Sequence, residues 1–139
     1  MLHHIAYVST AVRLMPAAEL NEILEQARAI NREADVTGML LYKDRSFIQV
    51  LEGDEAVLRE IYGRILVDRR HTRVTTLFDE ALEKRDFGEW SMGFYAPSDT
   101  DMAALEGYSR FLERDYPLRD FLGDLTRAKK LLLHFRARA

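Results

Sequence analysis

Cysteine is absent from the 139-residue chain, so neither disulfides nor thiolate metal sites hold it together. No apolar run is long enough to span a bilayer and no secretory leader is visible, which leads us to expect a soluble, cytoplasmic protein without a membrane partner. An excess of one charge is also missing. The 20 Lys and Arg stand against 23 Asp and Glu, a formal charge of -3, and that balance argues against a nucleic-acid surface. His3 and His4 have no metal-like spacing with another histidine, and repeats, low-complexity tracts and long linkers are lacking. What is abundant is apolar: 47% of the residues, enough for one domain with a continuous core.

The most informative stretch is Phe47-Ile48-Gln49-Val50-Leu51-Glu52-Gly53. Its alternation reads as a strand, yet it sets Gln49 on the same face as Phe47 and Leu51. An unpaired amide in a core costs about 1 to 3 kcal/mol, so Gln49 needs protein partners or a ligand rich in donors and acceptors. Residues 5–9 alternate as a first strand, with Ile5, Tyr7 and Ser9 together. Pro16 fits the first turn of a helix whose stripe runs Leu20, Ile23, Leu24, Ala27, Ile30 and Ala34. Asn31 lies on that stripe, four residues after Ala27, and is a second core-facing amide.

Residues 36–42 and 47–52, separated by the polar turn Lys43-Asp44-Arg45-Ser46, form a hairpin. Asp54 suits the N-cap of a second helix with Val57, Leu58, Ile61, Tyr62, Ile65 and Leu66 on its apolar stripe, bordered by Arg64 and Asp68. Residues 74–82 read as a further strand and 90–94 as a short fifth, with Trp90, Met92 and Phe94 together. Two helices over 98–114 and 117–134 follow.

This order predicts an α+β, ferredoxin-like βαββαββ fold: a mixed five-stranded sheet with two helices on one face. The two C-terminal helices would pack on the other face, which is otherwise left open. In the usual strand order the first strand lies antiparallel to the third, so Tyr7 and Gln49 become neighbours aimed at the gap between the first two helices. Asn31 and Asp68 point there as well. Four polar groups from separate segments, meeting in an apolar gap, describe a pocket.

Singly, each residue has a blander explanation. Tyr7 could be a core aromatic with a satisfied hydroxyl, Asn31 a helix-terminal residue bonding local backbone, 68–71 a solvated turn, and Trp90 and Met92 core filler. Together they match a family. With Tyr7-Val8-Ser9, Asn31, Val36-Thr37-Gly38, Phe47 to Gly53, Asp68-Arg69-Arg70-His71, Arg85-Asp86-Phe87 and Trp90-Ser91-Met92-Gly93, the chain resembles a BLUF domain, the blue-light sensor that uses FAD.

The resemblance covers residues 3 to 95 and implies a flavin ring inserted between the two helices. Tyr7 and Gln49 match the photochemical pair at its reactive edge, and Asn31 the amide that bonds its carbonyl and imide edge. Arg64 matches a helical cation near the other pyrimidine carbonyl. Asp68, Arg70 and His71 match the groups closing the second helix, beside ring or phosphate tail, while Ile23 and Ile65 form apolar walls. Ile30 stands where some members carry histidine. Trp90 and Met92 match a signal relay.

The implied protein is a non-enzymatic photoreceptor: a flavin-binding domain over 1–97, a helical extension over 98–139, and no recognisable effector. Its signal would pass to a partner in trans. Self-association as a homodimer would use a sheet edge or the C-terminal helices. Two rivals remain, an acylphosphatase-like hydrolase and a ligand-free interaction module. The hydrolase needs a backbone cradle for phosphate after the first strand, and Ser9-Thr10-Ala11-Val12-Arg13-Leu14 has no glycine to make one.

Overall fold

A computed structural model describes residues 1–43, 45–88 and 91–95. Trp90 and the two helices expected over 98–114 and 117–134 lie outside the described residues. The described chain is an α+β fold: β1 (Leu2–Ala11), α1 (Ala17–Ala34), β2 (Thr37–Lys43), β3 (Ser46–Asp54), α2 (Glu55–Leu66), β4 (His71–Ala81) and a three-residue β5 (Gly93–Tyr95). The strands lie in the order β4-β1-β3-β2-β5. The first four pair antiparallel, and β5 joins β2 in parallel.

Register follows from the period-two pattern. Tyr7 lies directly opposite Gln49, and Leu40 faces Gln49 from the other side, so all three project toward the helices. That face carries the core, in which Ile5, Leu20, Leu24, Leu51 and Leu58 pack together. Ala6, Met39, Leu41 and Val50, on the opposite face, are buried too. Gly38 allows β2 to lie close against β3, because a Cβ there would stand 2.0 Å from the Val50 carbonyl oxygen.

Several expectations need correction. Pro16 is the N-cap of α1 rather than a residue of its first turn. Ile30, read as a core position, is 41% exposed, and Leu66 is 50% exposed. Arg28 is instead buried on α1, beside the expected Leu20, Leu24 and Asn31. Of the fifth strand expected over 90–94, the described Ser91 and Met92 are not strand, and β5 is Gly93–Tyr95. Residues 85–87, 91 and 92 are held by side chains rather than by strand pairing.

Much of that hold comes from Glu52, fully buried on β3. Its carboxylate accepts from Thr37 Oγ1 at 2.9 Å and from the backbone N–H groups of Asp86 and Phe87 at 2.6 and 3.0 Å. Arg85 adds bonds to Thr37 Oγ1 (2.9 Å) and to the Asp35 carbonyl (2.7 Å). Burial raises the Glu52 carboxyl above its ordinary range, and the two backbone donors pull the other way. The segment after β4 is thereby tied to the sheet edge before it returns to Met92.

Candidate functional site

An open cleft of about 260 Å³ lies between α1 and α2, over the helix-side face of the sheet. The structure brings all nine predicted binding residues to its walls: Tyr7, Ile23, Asn31, Gln49, Arg64, Ile65, Asp68, Arg70 and His71. Met15, Gln26, Ala27, Leu40 and Ile61 line it too, and sequence reasoning did not single them out. Ala27 carried a usable signal, since a small residue one turn before Asn31 leaves room on the helix face. Ile30 also lines the cleft, which accounts for its exposure.

At the floor the Tyr7 hydroxyl donates to Gln49 Oε1 at 2.5 Å, and both side chains are buried. Burial raises the Tyr7 hydroxyl well above its ordinary value, with smaller contributions from Tyr62 and Asp68, so it stays a neutral proton donor. The Tyr62 ring lies 5.5 Å from that of Tyr7, but its hydroxyl bonds Thr76 Oγ1 at 2.6 Å and it does not line the cleft. Gln49 Nε2 stands 3.6 Å from the Met92 sulfur, a weak acceptor. Asn31 Nδ2 donates to the Ser91 carbonyl at 2.7 Å. Both amides thus sit where their donors and acceptors can be reassigned without a change of shape.

The far wall is built where α2 ends. Asp68 accepts from the Arg70 backbone N–H (2.9 Å) and pairs with its guanidinium at 2.5 Å, which holds the Asp68 carboxyl below its usual range. Arg70 reaches across the cleft to Gln26 Oε1 at 3.3 Å. His71 Nε2 lies 2.6 Å from the Ile65 carbonyl, which can only accept, so Nε2 carries a hydrogen. Whenever the ring is neutral, Nδ1 accepts from Ser9 Oγ, 2.7 Å away. His71 therefore fastens the end of α2 to β1. Arg64 bonds Glu60 Oε1 at 2.9 Å and is 64% exposed, a rim residue rather than a floor residue.

A slot with isoleucine walls, and a phenol and two amides at its polar end, suits a flat heteroaromatic ring edged by carbonyl and imide groups. The donor set fits a flavin. A family model described as "Sensors of blue-light using FAD" matches residues 2–93. The chain belongs to the BLUF family. That membership favours a flavin-based sensor over the hydrolase and the ligand-free module.

The photoactivated adenylate cyclase subunit beta of Euglena gracilis is 36% identical over 89 residues, 63% of this chain and 10% of its own length. The blue light- and temperature-regulated antirepressor BluF of Escherichia coli strain K12 is 34% identical over 80 residues, 58% of this chain and 20% of its own length. This BLUF chain thus spans a small part of those curated relatives. The dark-state structure of the BLUF protein BlrB superposes with a TM-score of 0.70 at 26% identity, covering 99% of this chain and 97% of that one.

Proposed function

We propose that this BLUF protein binds FAD non-covalently in the cleft between α1 and α2, and that Tyr7 and Gln49 are its light-switched pair. The observation that carries the reading is the hydrogen bond from the Tyr7 hydroxyl to Gln49 Oε1 at the buried floor. Asn31 would bond the ring's carbonyl and imide edge, Arg64 would serve the other pyrimidine carbonyl, and Ile23 and Ile65 would hold the ring faces. Asp68, Arg70 and His71 would steady the ring or the phosphate tail at the mouth.

Flavin, when bound, supplies the blue absorption and an excited state that is a strong oxidant. On the protein side, Tyr7 is a neutral phenol that gives up an electron and its hydroxyl proton and later recovers both, so the cycle leaves no net redox change. Gln49 accepts the hydrogen bond that Tyr7 gives. Rotation or tautomerisation of its amide exchanges acceptor for donor at nearly constant shape, so the rearrangement persists without opening a cavity. A switch of this kind turns over no substrate.

The output passes to a partner in trans, with residues 98–139 as a helical extension to the 1–97 flavin domain. Burial of Ala6, Met39, Leu41 and Val50 on the sheet face away from the cleft supports packing of that extension there. Homodimerisation through this extension or a sheet edge fits the same scheme, as does a cytoplasmic location; among the described residues no helix is long and apolar enough to cross a membrane. The test is direct. Purified protein should be yellow, release FAD rather than FMN on denaturation, and show a reversible red shift of its flavin band under blue light. Colourless protein that takes up no added flavin would overturn the reading.

A further inference from the structure

Arg28 occupies a position that arginine seldom takes. It lies on the buried face of α1 and is 3% exposed, where a guanidinium is costly unless its donors are used. Its Nε donates to the Met92 carbonyl at 3.2 Å, and its Nη1 reaches Glu25 Oε1 at 3.4 Å. Three residues on, Asn31 Nδ2 donates to the Ser91 carbonyl. Two side chains on one face of a helix therefore hold two successive carbonyls. They do so just ahead of Gly93, where pairing with Met39 of β2 begins.

We propose that Arg28 is a positioning residue that holds Met92 beside Gln49, and so sets the lifetime of the light-switched state. The inference rests on the proposed role of Gln49 as the switching amide. Asn31 lines the cleft and is available to a ligand, whereas Arg28 does not line it. Its bond to the carbonyl is charge-assisted, and it is the more durable of the two holds. With the Met92 backbone fixed, the Met92 sulfur faces Gln49 Nε2, a contact that favours one orientation of the amide. Turning the amide over would bring Oε1 toward sulfur, two acceptors facing each other, and the held Met92 resists that arrangement. Arg28 thus biases Gln49 toward its starting orientation and speeds its return.

Arg28→Lys keeps the charge and most of the stem but cannot place a donor where Nε stands. In the full-length protein it should bind flavin and give the initial red shift, while dark recovery slows about 5-fold, the factor expected for losing one net hydrogen bond. The same change made in a Met92→Ala background should leave the recovery rate of that background unaltered, because the sulfur that Arg28 positions is gone. Recovery of Arg28→Lys at the wild-type rate would overturn the inference. So would an equal slowing in both backgrounds, which would mark a general effect on packing. A colourless wild type would overturn the flavin reading and this one together, whereas a yellow, light-responsive wild type with an unaffected Arg28→Lys variant would overturn this one alone.

Discussion

Gln49 and Tyr7 do their work because each is placed where its ordinary chemistry is restricted. In water a phenol loses its proton near pH 10, but burial lifts Tyr7 well beyond that and keeps the hydroxyl available as a donor. Gln49 is held between a strong donor on one side and a weak sulfur acceptor on the other, so its two ends are unequally engaged. Gln49→Leu should retain the fold and the flavin but leave the Tyr7 hydroxyl without its acceptor, at a cost of about 1 to 3 kcal/mol in stability. Infrared difference spectra of that variant should show no light-induced weakening of the flavin carbonyl band. A wild-type band shift would remove the amide from the mechanism.

Residues of this kind were legible when a polar side chain broke an apolar pattern, as Gln49, Asn31 and Tyr7 do. Arg28 and Glu52 were missed for the converse reason. Helical and strand periodicity assign charged residues to water, and nothing local says that the partners of these two include backbone groups more than 30 residues away.

Among the elements, α1, α2 and the turn that ends α2 frame the cleft. Asp68 is held ionised by Arg70, so its folded-state pKa lies below its unfolded value. The stability it contributes is therefore present above about pH 4 and is lost as pH falls through the lowered value. The pair is half-buried and still partly screened by solvent, so Asp68→Asn should cost less than about 1 kcal/mol at neutral pH. The gap in melting temperature between wild type and Asp68→Asn should close on acidification below pH 4. A gap independent of pH would mean that the Arg70 pairing contributes nothing.

Met92 contacts Gln49 and leads directly into β5. Met92→Ala should leave the red shift largely intact while reducing the light-minus-dark difference in amide exchange from Ser98 onward. Equal differences in variant and wild type would make Met92 a packing residue only. The sequence placed Ser91 and Met92 in this strand, because alternation of apolar residues mimics a strand that, among the described residues, begins at Gly93. Ile30 misled in a related way. An apolar residue at helical spacing is indistinguishable from core until the opening beside it is known.

Across the described residues, the antiparallel strands β4-β1-β3-β2 carry one helix on either side of a cleft, and the adjacent β1 and β3 set the phenol and the amide opposite each other in register. This much of the architecture was legible, because strand alternation, turn residues and helix stripes each agree with the same topology. The pairing of Tyr7 with Gln49 was legible only through that topology, since 42 residues separate them in sequence. The central claim is that their hydrogen bond is what light rewires, and Tyr7→Phe tests it most directly by removing one hydroxyl and keeping the ring. Absorbance difference spectra before and after blue light should show the reversible red shift in wild type and none in Tyr7→Phe, with flavin bound equally in both. A normal red shift in flavin-loaded Tyr7→Phe would contradict the account.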